Sequence, residues 1–177
     1  MPSGKDRIYV ALYTRGGKPK MKGLEDKQVA KTRLSIGLQG KTIPSKETLV
    51  EVAGRPEYVW QFEEQATSYA AAAMMLTRVS VGKVANIKRL DSVLRSTPIR
   101  AEQPGWNCVA WVQEALEGLK EDGKALGTSV TDWVLIRDTA MHYVASKITQ
   151  CRFDSSVSFD RSVVATWDLL AGVETVP

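Results

Sequence analysis

The chain has 177 residues, 44% apolar and 25% charged, with a net charge of +4. That is the composition of one soluble domain, long enough to bury a core without metal or disulfide staples. It excludes a disulfide framework, since Cys108 and Cys151 stand far apart, and a membrane span, since the apolar run 69–76 is far too short. The polar start, Met1-Pro2-Ser3-Gly4-Lys5, lacks the apolar stretch of a secretory signal. The expectation is a single cytoplasmic domain over 1–177 with free thiols.

Strand signals come first. Residues 8–13 are apolar on both alternating sets, which predicts a central strand buried on both faces. The stretch 15–46 follows with nine basic residues (Arg15, Lys18, Lys20, Lys22, Lys27, Lys31, Arg33, Lys41 and Lys46) against Glu25 and Asp26. It therefore carries +7 and leaves −3 elsewhere. Such a stretch could touch a phosphate-bearing or nucleic-acid partner. No aromatic residue interleaves it, so a solvated, partly mobile loop region is the first reading. Within it Leu34, Ile36 and Leu38 alternate with Arg33, Ser35 and Gly37 as in a half-buried strand. Val50 and Val52 make a shorter strand ended by Gly54, and Tyr58, Trp60 and Phe62 share one face of another. Residues 69–75 favour helix but are too short to assign. Val79 and Val81 anchor the last strand of this half.

From Asn86 the period changes to that of a helix. Asn86 can cap a stripe of Ile87, Leu90, Val93 and Leu94 that stops before Pro98. A second helix starts at Cys108, after the turn Pro104-Gly105 and the N-cap Asn107, and runs to about Gly123. A third is expected after Ser129, paired with Asp132 as a capping box, and continues through Ile136, Ala140, Tyr143 and Val144 to about Ile148. The tail 154–177 is less legible. The fold class is α+β: an antiparallel sheet from the N-terminal half packed against helices of the C-terminal half.

Cys108 is the candidate catalytic residue. At the first position of a helix, unpaired N–H groups and the helix dipole favour thiolate, the nucleophilic form. Cys108 also shares a stripe with Trp111, Val112, Ala115 and Leu119, so it fits a buried structural cysteine equally well. His142 is the chain's one histidine, and its helical neighbours Asp138, Thr139, Ala145 and Ser146 make a mostly polar face. A solvated Asp138–His142 pair is the plainer reading there. Cys151 has no activating context. Two cysteines and one histidine match no metal spacing. Arg15-Gly16-Gly17-Lys18 is a turn, not a phosphate loop. No Gly-x-Ser-x-Gly elbow occurs, and no cofactor is implied.

The string Asn107-Cys108-x-x-Trp111-Val112 resembles the signature of the permuted papain-like superfamily, which includes lecithin–retinol acyltransferase. The resemblance implies a histidine strand early in the chain and a cysteine helix later. More closely, residues 8–17, 78–84, 106–119 and 127–133 resemble a family of short, uncharacterised fungal proteins. That resemblance implies a His-Trp strand where this chain has residues 25–33, and no histidine precedes His142. A real loss, an altered reading of that exon, or a family that never used a dyad would each explain it. The expectation is a non-catalytic or degenerate papain-like scaffold acting as a binding or accessory protein. The alternative is a cysteine-dependent acyltransferase or amidase with Cys108 as nucleophile.

Overall fold

The computed structural model describes residues 6–14, 32–39, 46–54, 60–68, 75–100, 102–153, 159–160 and 163–177. Most of the basic stretch 15–46 lies outside these residues. So do Tyr58, Val59, residues 69–74 and part of the 154–177 tail.

The described chain runs β1 (Arg7–Thr14), β2 (Thr32–Gln39), β3 (Lys46–Gly54), β4 (Trp60–Ser68), β5 (Met75–Val84), α1 (Ile87–Ser96), α2 (Cys108–Asp122), β6 (Leu126–Ser129), α3 (Trp133–Thr149), β7 (Ala165–Asp168) and β8 (Val173–Val176). The strands form one sheet in the order β4-β3-β2-β1-β5-β7-β8, with β6 added to β5. The predicted antiparallel sheet is its first part, since β1 to β5 pair antiparallel throughout.

β1 sits in the middle, which explains its unbroken apolar run. Ile8, Val10 and Leu12 are fully buried in the main core, and Tyr9, Ala11 and Tyr13 are buried on the reverse face. On that reverse face Arg7 Nη1 donates to Asp168 Oδ2 at 2.7 Å and to Ser80 Oγ at 3.2 Å. Arg78 Nε donates to Thr166 Oγ1 at 2.9 Å, and its guanidinium lies 4.6 Å from the Tyr9 ring centroid. The helices cover the other face: α2 crosses β2 and β3, α3 crosses β1 and β5, and α1 packs on α2. Among the described residues no helix is long and apolar enough to cross a membrane.

Two expectations need correction. The sheet is not supplied by the N-terminal half alone, because β6, β7 and β8 come from the C-terminal half and β7 runs parallel to β5. Parallel neighbours need a crossover, and here α1, α2, β6 and α3 all lie between β5 and β7 in the chain. The third helix also starts later than the Ser129 capping box implies. Ser129 pairs with Gly82 as part of β6, and the N-cap is Asp132, whose Oδ1 accepts from Leu135 N at 2.7 Å. A Cβ on Gly82 would stand 2.9 Å from Ser129 Cβ, so glycine there admits β6 and diverts Ser129 from capping.

α3 ends in a Schellman motif, with Arg152 N donating to Lys147 O at 3.0 Å and Cys151 N to Ile148 O at 2.9 Å. Its left-handed position, φ 57°, is held by Cys151 where glycine is the usual occupant. Cys151→Gly is therefore expected to stabilise the fold by about 0.5–1 kcal/mol, raising the melting temperature by a few degrees. A calorimetric scan of the two proteins checks this, and a lower melting temperature in the variant would refute it.

Candidate functional site

The start of α2 is built as the sequence predicts. Gly105 takes φ 82°, which turns the chain into the helix. Trp106 is buried against it, its Nε1–H donating to Glu114 Oε1 at 3.1 Å. Asn107 is extended, and its Oδ1 accepts from Val109 N at 2.9 Å and Ala110 N at 3.4 Å. Cys108 is then the first helical residue, with only 1% of its surface exposed. It shares the buried face of α2 with Trp111, Val112, Ala115, Leu116 and Leu119. Trp111 meets Phe62 of β4 edge-on, at 6.0 Å between ring centroids. The aromatic member of the motif thus fixes the cysteine helix to the sheet.

His142 lies elsewhere. It is exposed on α3 and lines a cleft of about 690 Å³ between α3 and the β7–β8 hairpin. One wall is the α3 face carrying Asp138, Thr139, His142, Tyr143, Ser146, Lys147 and Gln150. The other is Trp167 of β7, Leu169 and Gly172 of the connecting turn, and Glu174 of β8. In the sheet order β7 and β8 lie beyond β5, whereas α2 crosses β2 and β3. The cleft is therefore on the flank of α3 away from α2, and Cys108 is not in its lining. Asp138, the expected partner of His142, gives Oδ1 to Arg137, whose Nε and Nη2 donate at 2.9 Å and 2.7 Å.

The base of the cleft holds a charged cluster that sequence reading missed. Lys147 is 2% exposed, and its Nζ contacts Glu174 Oε1 at 2.5 Å and donates to Gln150 Oε1 at 3.0 Å. The same ammonium stands 5.5 Å from the Tyr143 ring centroid. Tyr143 Oη donates to Glu174 Oε1 at 2.6 Å, with the Val176 carbonyl 3.2 Å away. Its ring also leans on Trp167 at 5.7 Å.

Burial, then the hydrogen bond to Glu174 and that carboxylate's charge, push the Tyr143 hydroxyl far above its ordinary value. Burial also works to raise Glu174. The hydrogen bonds from Lys147 and Tyr143, with the charges of Lys147 and Arg152, outweigh it and hold the carboxyl below its ordinary value. Tyr143 is thus a fixed donor and Glu174 a fixed acceptor, and neither is poised to move a proton near neutrality. A signal for Lys147 existed. It stands eleven residues after Ile136, on the stripe of Ile136, Ala140, Tyr143 and Val144, so it is a charge at a core position. Glu174 gave none, being in the tail and 31 residues from Tyr143.

A family of unknown function, DUF6914, matches residues 5–176. No curated protein matches, and no solved structure does.

Proposed function

The chain belongs to DUF6914, a family of unknown function, and for it we propose a non-catalytic role: a binding or accessory protein on a degenerate, permuted papain-like scaffold of fungal type. The observation that carries this reading is the separation of thiol and imidazole. Cys108 is 1% exposed in the core, while the chain's one histidine lines a cleft on the far flank of α3. A thiol enzyme needs its sulfur within reach of both a substrate carbonyl and a base. The scaffold is supported by a helix that begins at a cysteine and crosses an antiparallel sheet. The binding role falls to the α3 cleft, whose volume of about 690 Å³ suits a small ligand.

The second reading, a cysteine-dependent acyltransferase or amidase, is favoured by the position of Cys108 at an Asn107-capped helix N-terminus. Alkylation by iodoacetamide between about pH 6 and pH 9 separates the two, with half-buried Cys151 as the internal comparison. Cys151 is expected to label in the native protein. Cys108 should stay silent until denaturant opens the core, so that its rate follows the opening equilibrium. Native labelling of Cys108 with an apparent pKa well below about 8.5 would reverse the assignment and make it a nucleophile.

A further inference from the structure

The cleft beside α3 also carries information about its ligand. Its charges are already matched within the protein: the Lys147 ammonium with Glu174, and Asp138 with Arg137. A charged ligand entering here would lose its hydration without gaining an uncompensated partner. What the cleft leaves uncommitted is hydrogen-bonding capacity of mixed kind. Among the described residues, Glu174 Oε2, Asp138 Oδ2, the Thr139 hydroxyl and the His142 ring take no protein partner. Ser146 Oγ accepts from Gln150 Nε2 at 3.2 Å and keeps its own proton to donate. Opposite them stand half-buried Trp167 and Leu169.

A ligand that fits must therefore be uncharged and present an apolar face to the indole. Its rim must carry groups that both donate and accept. Hydroxyls do both, each with one proton to give and two lone pairs, and a pyranose ring sets several of them around a C–H face that packs on an aromatic surface. We propose that the α3 cleft is a binding site for a neutral sugar, stacked on Trp167 with its hydroxyls shared among His142, Ser146, Thr139 and Glu174. The proposal rests on the cleft being the binding site of this protein, and it adds the ligand class.

The experiment is an NMR titration of the tryptophan indole N–H resonances, with the Trp167 signal assigned through Trp167→Phe. The probes are glucose, N-acetylglucosamine, cellobiose and maltose, compared with phenethylamine as a cation and phenylacetate as an anion. At least one sugar is expected to shift the Trp167 signal with a dissociation constant of about 1 mM. The side chains of His142 and Ser146 lie outside the core, so His142→Ala and Ser146→Ala should fold normally and bind that sugar about five-fold more weakly. Should the amine or the carboxylate shift Trp167 while no sugar does, the cleft binds ligands but the sugar assignment is wrong. A signal that no probe moves removes both the sugar assignment and the binding role of the cleft. A sugar-induced shift unchanged in both alanine variants puts the sugar elsewhere and overturns the proposal.

Discussion

Trp111→Ala is expected to remove about 4 kcal/mol of stability, the largest loss from any one side chain of α2. The indole is fully buried and joins α2 to β4 through its edge contact with Phe62. Truncation would leave a cavity under the helix that also carries Cys108, and the surrounding strands are paired and can collapse only partly into it. Out of a domain total of about 5–15 kcal/mol, such a loss puts part of the population in the unfolded state near physiological temperature. Urea denaturation monitored by far-ultraviolet circular dichroism gives the number through the midpoint at unchanged slope. Trp111→Phe is the informative control. It keeps an aromatic ring against Phe62 and removes an indole N–H that finds no acceptor among the described residues. Its cost should be well under half that of alanine. A small effect of Trp111→Ala would mean that the Asn-Cys-x-x-Trp signature is not anchored by its tryptophan.

Glu174→Ala is expected to cost about 3 kcal/mol, because it leaves the Lys147 ammonium buried without its carboxylate. The Glu174 side chain is 32% exposed, so water can replace part of what is lost and the effect should not reach the top of the range for buried pairs. Replacing both members, as Lys147→Met with Glu174→Ala, should recover more than half of the loss, since no charge is then stranded. If the double variant is no better than Glu174→Ala alone, the pair is not what holds β8 to α3.

The same cluster sets a pH dependence. The Glu174 carboxyl is held below its ordinary value of 4.5 in the folded protein. Its contribution is therefore complete above that value and is lost as pH falls through the lower folded one. The Tyr143 hydroxyl is shifted the other way. Its contribution is complete below its ordinary 10.0 and declines as pH rises beyond it. Stability should therefore fall on both limbs, and the double variant should have the flatter acid limb.

Local features were the legible ones. The helix starts at Asn86 and Asn107 are each set by a side chain and backbone N–H groups within three residues, and both stand as the sequence predicts. The two-faced burial of β1 was visible because both of its alternating sets are apolar. Cys108 at the head of a helix was legible too. Its near-complete burial was open from sequence, because the stripe that includes it fits a core residue and a nucleophile alike. What failed depended on distant partners. Ser129 has the chemistry of a cap, yet Gly82 in β5 claims it for strand pairing. Lys147 could be suspected from its place on the apolar stripe of α3. Its partner Glu174 could not be found without knowing that the tail returns to the sheet beside β5.

That return also shapes how the protein is made. Arg78 of β5 and Thr166 of β7 are joined across 88 residues, and Arg7 and Asp168 across 161. During synthesis β5 emerges early and waits while α1, α2 and α3 are translated, its outer edge matched only near Gly82 and Val84, by β6. Until residues 165–168 clear the ribosome, the stretch of that edge from Thr77 to Ser80 is a template for pairing with another nascent chain. β7 thus closes an edge that β5 presents long before it, and a chain stopped short of residue 165 is expected to aggregate more readily than the full one.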